Sequence, residues 1–131
     1  EIEAVTGVQT CALPILLIVA SGSLTHNLYE FRSASGLGAD YVKAFAAWTA
    51  KTLQAGNTEF LLDYKQHAPS AERAHPTDEH FLPLIIALGA AGEHYDIRVL
   101  EGGVSYGVLS MDSYLFSSAT PQPHQGVTDH A

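Results

Sequence analysis

Ile15-Leu16-Leu17-Ile18-Val19-Ala20, followed at once by Ser21-Gly22-Ser23-Leu24-Thr25-His26-Asn27-Leu28, is the stretch on which the fold turns. The unbroken apolar run reads as a strand buried on both faces, the kind that lies in a parallel sheet under helices. Ser21-Gly22-Ser23 ends it as a tight polar turn. In open α/β sheets ligands bind beyond such strand ends, and His26 falls in that space.

Ser33 to Gly38 is a loop of small residues. Asp40 can cap a helix that carries Val42, Phe45, Trp48, Thr49 and Leu53 on one face, and Gly56 ends it as a left-handed cap. Asn57 can cap a shorter helix with Phe60, Leu61 and Tyr64 apolar, stopped by Pro69 and Ser70. A second histidine segment follows: His75-Pro76-Thr77-Asp78-Glu79-His80-Phe81-Leu82-Pro83-Leu84. Thr77 is a cap candidate that places His80 in a first turn. Proline belongs at a helix start, so a short turn over 78–81 is expected, then a helix from near Pro83 to about Leu88. Gly89 and Gly92 end that helix. Ile97 to Leu100 reads as a strand, Glu101-Gly102-Gly103 as a turn, and Ser110 to Ser117 as a further strand with Met111, Ser113 and Leu115 on one side. The Tyr and Phe residues read as core. The fold class expected is α/β, a partial mixed sheet flanked by helices. Residues 1–14 have no period, and 119–131 read as a flexible tail.

Composition narrows the function classes. The 131 residues allow one domain with a real core. Apolar residues make up 47%, which is globular rather than disordered. Six Lys and Arg against fourteen Asp and Glu give a net charge of −8, and no basic run exists, so nucleic acid and anionic membranes are not expected partners. The apolar run is too short to span a bilayer. Glu1 and Glu3 stand where a signal peptide would be basic. A single cysteine, Cys11, excludes an internal disulfide framework, and a reducing, cytoplasmic setting is the default.

Each histidine has a plain alternative. His80 lies near a helix N-terminus, where the dipole favours a neutral imidazole with a lone pair free for a metal; from spacing alone, a residue that merely caps or packs at a helix start is the favoured reading. His26 is the general acid/base candidate, or a loop residue bonded to backbone. His75 lies five residues before His80 across Pro76, not at the spacing that puts two ligands on one helix face. A solvated loop residue is expected there, with substrate contact as the functional reading. Asp78 and Glu79 read as partners of the helix dipole rather than ligands, and His67 and His94 as surface residues. Ser21 and Ser23 do not sit in a Gly-x-Ser-x-Gly elbow, so a serine hydrolase is weakly supported.

The two histidine segments, with Ala87-Leu88-Gly89-Ala90 and Leu109-Ser110-Met111, resemble the class III extradiol ring-cleaving dioxygenases of the 4,5-DOPA dioxygenase type, in order and spacing along residues 15–117. The resemblance implies a non-haem Fe(II), or zinc, held by histidines, a small-molecule catechol and O2 as substrates, and ring opening beside the two hydroxyls. Carried over, His80 matches the late histidine ligand. His26 matches the active-site histidine that acts as acid/base and in some members stands beside the metal. His75 matches a position the family does not fix. Members of the family are much longer than this chain. Residues 15–118 correspond to the C-terminal half of their catalytic domain, and the two early histidine ligands have no counterpart. Residues 8–14 resemble translated adapter sequence, so 1–14 are expected to be a non-native leader on a gene fragment. The isolated chain is expected to bind metal weakly, to be poorly soluble and not to turn over. The alternative is a non-catalytic binding or scaffold protein on the same fold. Oligomeric state is open.

Overall fold

The computed structural model describes residues 17–31 and 39–118. The expected leader, the Ser33–Gly38 loop, the tail, Cys11, Ile15, Leu16, His124 and His130 lie outside them.

Helix α1 spans Asp40–Gln54. Val42, Phe45, Thr49 and Leu53 recur at helical spacing and are buried, with Trp48 partly buried beside them, as an amphipathic stripe requires. Asp40 is the first helical residue rather than the cap. Ala39 holds the cap position without a side-chain hydrogen bond. Gly56, at φ 67°, turns the chain as expected, and its N–H reaches the Leu53 carbonyl. The expected second helix is broken: α2 covers Thr58–Leu62 and α3 covers Tyr64–His67, separated at Asp63. Phe60 is exposed and stacks on His67, whereas Leu61 and Tyr64 face the core. A one-turn helix, α4 (Ala71–Ala74), follows Ser70, which adopts the left-handed region at φ 55°.

A turn then carries residues 78–81, closed by the Phe81 N–H on the Asp78 carbonyl. Helix α5 runs Leu82–Ala91, with Pro83 in its first turn. It continues through Gly89 and stops at Gly92, φ 80°, because one glycine inside a helix costs only about 1 kcal/mol. His80 therefore precedes the helix.

Strand β1 (Tyr95–Leu100) pairs antiparallel with β4 (Ser113–Ser118), with Ile97 opposite Phe116 and Val99 opposite Tyr114. Tyr114 and Phe116 turn inward, while Met111, Ser113 and Leu115 are exposed. Between the two strands lies a hairpin that sequence patterning missed: β2 (Val104–Ser105) on β3 (Leu109–Ser110), its turn made by Tyr106 and Gly107, both at positive φ. Helix α1 packs on β1 and β3, and α5 packs on β4. The core between them is built on Phe45, Leu53, Leu61 and Phe81. Tyr29 and Tyr106 are exposed, so the expectation that every tyrosine is core is corrected.

The largest correction concerns the opening strand. Residues 17–20 take no strand assignment, and Leu17 and Val19 are 85% and 79% exposed. The physical reason is pairing: a strand exists only beside a partner, and among the described residues none hydrogen-bonds to this segment. The described residues thus combine helices with two small antiparallel sheets.

Candidate functional site

Residues 22–27 cross the molecule as an irregular segment, and its course is set by bonds to three other elements. The Ser23 N–H donates to the His80 carbonyl at 2.9 Å, and the His26 N–H to the Ala74 carbonyl at 2.8 Å. Gly22 lies against the His80 carbonyl and the Pro83 ring, where a Cβ would collide with that carbonyl. Only glycine allows this close approach. Thr25 is fully buried. Its hydroxyl donates to the Val108 carbonyl and accepts from the Ser110 N–H, both at 2.8 Å, which ties the segment to the β2–β3 hairpin. Asn27 donates to the Arg73 carbonyl at 2.7 Å, and its own carbonyl oxygen accepts from the Tyr29 N–H. The Arg73 guanidinium clasps Glu30 at 2.7 and 3.0 Å and lies over the Tyr41 ring.

These bonds bring His26 and His80 together. Their ring centroids are 3.5 Å apart and the planes are inclined by 28°. Burial, and then the neighbouring His80, hold the His26 imidazole below its usual value of 6.5. It is therefore neutral near pH 7, with a lone pair able to take a proton. Glu79 Oε1 stands 4.0 Å from His80 Nε2. The turn that carries His80 is pinned from below by Asp78, which accepts from the Tyr64 hydroxyl and pairs with Lys65, each at 2.7 Å. Those partners, Lys65 first, hold the Asp78 carboxyl below its usual range.

His75 is 1% exposed, so the expectation of a solvated loop residue is corrected. Its ring is enclosed by Phe45, Phe81 and Tyr64. Nε2 lies 2.7 Å from the Leu24 carbonyl. A carbonyl only accepts, so Nε2 carries the proton, and Nδ1 is left buried with no partner among the described residues. His75 fastens the segment that carries His26 from inside the core and presents no surface to a substrate. No local sequence signal marked this: His75 directly follows α4, and Phe45 and Tyr64, which enclose it, come from other elements of the chain.

The donor set limits what the site can hold. Lone pairs lie in the imidazole planes, and planes so nearly parallel do not converge within the ~2 Å of a metal–nitrogen bond. One ring would have to turn for both to bind one ion. Among the described residues no group of three or more His, Cys, Asp or Glu could hold a metal. Two imidazoles offer at most two nitrogen donors, fewer than the three or four protein ligands of a whole metal site.

The family model described as the catalytic LigB subunit of aromatic ring-opening dioxygenase matches residues 14–117. The chain belongs to this family. It is 37% identical over 103 residues to a 4,5-DOPA dioxygenase extradiol of Beta vulgaris, covering 79% of this chain and 38% of that protein. A protein of the same name from Mirabilis jalapa is 30% identical over 106 residues, 80% of this chain and 40% of the relative. One from Escherichia coli (strain K12) is 31% identical over 107 residues, 73% and 36% respectively. The chain therefore spans about two fifths of the length of these curated relatives. His26 and His80 both lie inside the family match. Among the described residues no helix is long and apolar enough to cross a membrane.

Proposed function

We propose that this chain carries the C-terminal part of an extradiol dioxygenase site that opens the ring of a catechol such as DOPA, with O2 as co-substrate and a non-haem Fe(II), or Zn(II), as the metal. The observation that carries the reading is the His26–His80 ring contact, held by backbone bonds on both sides, inside a segment matched to the ring-opening dioxygenase family. His80 is assigned as a metal ligand. His26 is assigned the proton transfers, with metal contact as a secondary role. The bound metal would supply open positions on which a catecholate and O2 can meet. The part played by this chain's own residues is narrower. His26, neutral and partly desolvated, is suited to take a catechol hydroxyl proton and to return one as the ring opens. His75 enters by anchoring the Leu24 carbonyl, in place of the substrate contact expected of it. The finer fold reading, half of a mixed sheet flanked by helices, and a reducing cytoplasmic setting go with this proposal.

The test is a chimera in which residues 15–117 replace the matching segment of the Beta vulgaris relative. His80→Ala is expected to abolish ring opening. His26→Ala is expected to lower it by about 10²–10⁴-fold, the usual share of a general acid/base. Full turnover in the His80→Ala chimera would refute the assignment. A binding or scaffold role on the same fold is the second reading, favoured by a donor set of two among the described residues. A chimera that binds catechol but never opens it would select that reading.

A further inference from the structure

Helix α4 is one turn long, too short to be stable by itself. Its last carbonyls find no partner inside the helix, and two of them are taken by the segment that carries His26. The Ala74 carbonyl accepts the His26 N–H, and the Arg73 carbonyl accepts the Asn27 side chain. The next residue, His75, bonds the Leu24 carbonyl. Three consecutive residues of one element thus hold residues 24, 26 and 27 of the other. Asn27 is 5% exposed, and its partners fix its amide. The Tyr29 N–H only donates and the Arg73 carbonyl only accepts, so Oδ1 faces Tyr29 at 3.1 Å and Nδ2 faces Arg73 at 2.7 Å. The same Nδ2 lies 3.4 Å from Glu30 Oε1, and Glu30 clasps the Arg73 guanidinium. Asn27 is therefore tied to the backbone of Arg73 directly and to its side chain through Glu30. The Glu30 N–H returns to the Asn27 carbonyl at 3.3 Å, which turns the chain immediately after His26. With the backbone pinned on both sides, the Cα–Cβ bond of His26 is aimed, and its ring meets the face of His80 at 3.5 Å.

We propose that Asn27 is a positioning residue for His26: its side-chain N–H bond to the Arg73 carbonyl, braced by the Glu30–Arg73 pair, holds the imidazole in the place from which it moves protons. The proposal rests on the assignment of proton transfer to His26. Asn27 touches no substrate and acts through its neighbour. A displacement of about 1 Å at such a group is enough to cost on the order of a hundredfold in rate.

Two measurements test this. In the 131-residue chain, NMR cross-relaxation between the His26 and His80 ring protons is expected, and it should be lost in Asn27→Ala while the Phe45–Phe81 ring contact persists. In the chimera carrying residues 15–117, Asn27→Ala should lower kcat by about 10–100-fold with KM changed by less than about threefold. In a His26→Ala chimera the same substitution should change kcat by less than about twofold, because a residue that acts through His26 has nothing left to act on. Asn27→Ser keeps the turn, since its hydroxyl accepts the Tyr29 N–H, and is too short to reach Arg73. It should behave as Asn27→Ala, and it carries the test if the alanine variant does not fold. A ring contact that survives in these variants, an unchanged kcat, or an equal loss with and without His26 overturns the proposal. An unchanged kcat in His26→Ala alone overturns the proton-transfer assignment, and the proposal with it. A large loss in His26→Ala beside none in Asn27→Ala overturns the proposal and leaves that assignment standing.

Discussion

Thr25 shows how much the site depends on single atoms. Its hydroxyl is a donor and an acceptor at once, one residue before His26. Thr25→Val keeps the shape and strands the buried Ser110 N–H and Val108 carbonyl. The expected cost is about 1–3 kcal/mol, read as a lower denaturant midpoint with an unchanged slope. His75 makes a second prediction. Burial holds its imidazole below the usual 6.5, so the unfolded chain takes up a proton in acid that the folded chain refuses. The stability from this neutral burial is complete above 6.5 and is lost as pH falls through the folded value. Stability should therefore decline as pH falls below about 6.5, by at most about 1.4 kcal/mol per pH unit for each such group. His26, also held low, acts in the same direction. His75→Gln can still donate to Leu24 and does not titrate. It should flatten the decline, and an unchanged slope in urea titrations across pH would count against this account.

At the scale of elements, legibility followed periodicity. Helix α1 could be read from Val42, Phe45, Thr49 and Leu53 because its packing repeats at the helical period. Helix α5 was legible from Pro83 at its start and the glycines near its end, and strands β1 and β4 from their β-forming residues and alternation, with boundaries off by a few residues. The β2–β3 hairpin was not, because its strands are two residues long and Tyr106 hides a positive φ that glycine would have advertised. The apolar run at 17–20 was misread for the opposite reason: its composition is that of a buried strand, and burial depends on a partner that sequence alone does not place. His26 and His80 were each visible as candidates, but their contact was not, since it depends on the long-range backbone bonds of Ser23 to His80 and of His26 to Ala74. The core element can be tested directly. Phe45 is fully buried against Phe81, Tyr64 and His75. Phe45→Ala should cost about 3–5 kcal/mol, and thermal melting by circular dichroism should show most of the cooperative transition lost. A midpoint within a few degrees of the parent would show that this aromatic cluster does not hold the fold together.

For the whole molecule, family membership and completeness of the site are separate matters. The match over residues 14–117 establishes the first. The geometry bears on the second: two imidazoles in contact, a donor set that stops there among the described residues, and a groove that reaches His80. The function proposed above has His26 and His80 as two groups of an extradiol site whose other groups lie outside the described residues. The most direct test is an anaerobic mix with Fe(II) and DOPA, followed by admission of air and recording of the yellow ring-opened product. The 131-residue chain alone should give no product above the metal-only control, while the chimera carrying residues 15–117 within the Beta vulgaris relative should turn over. Sustained turnover by the 131-residue chain on its own would contradict the account.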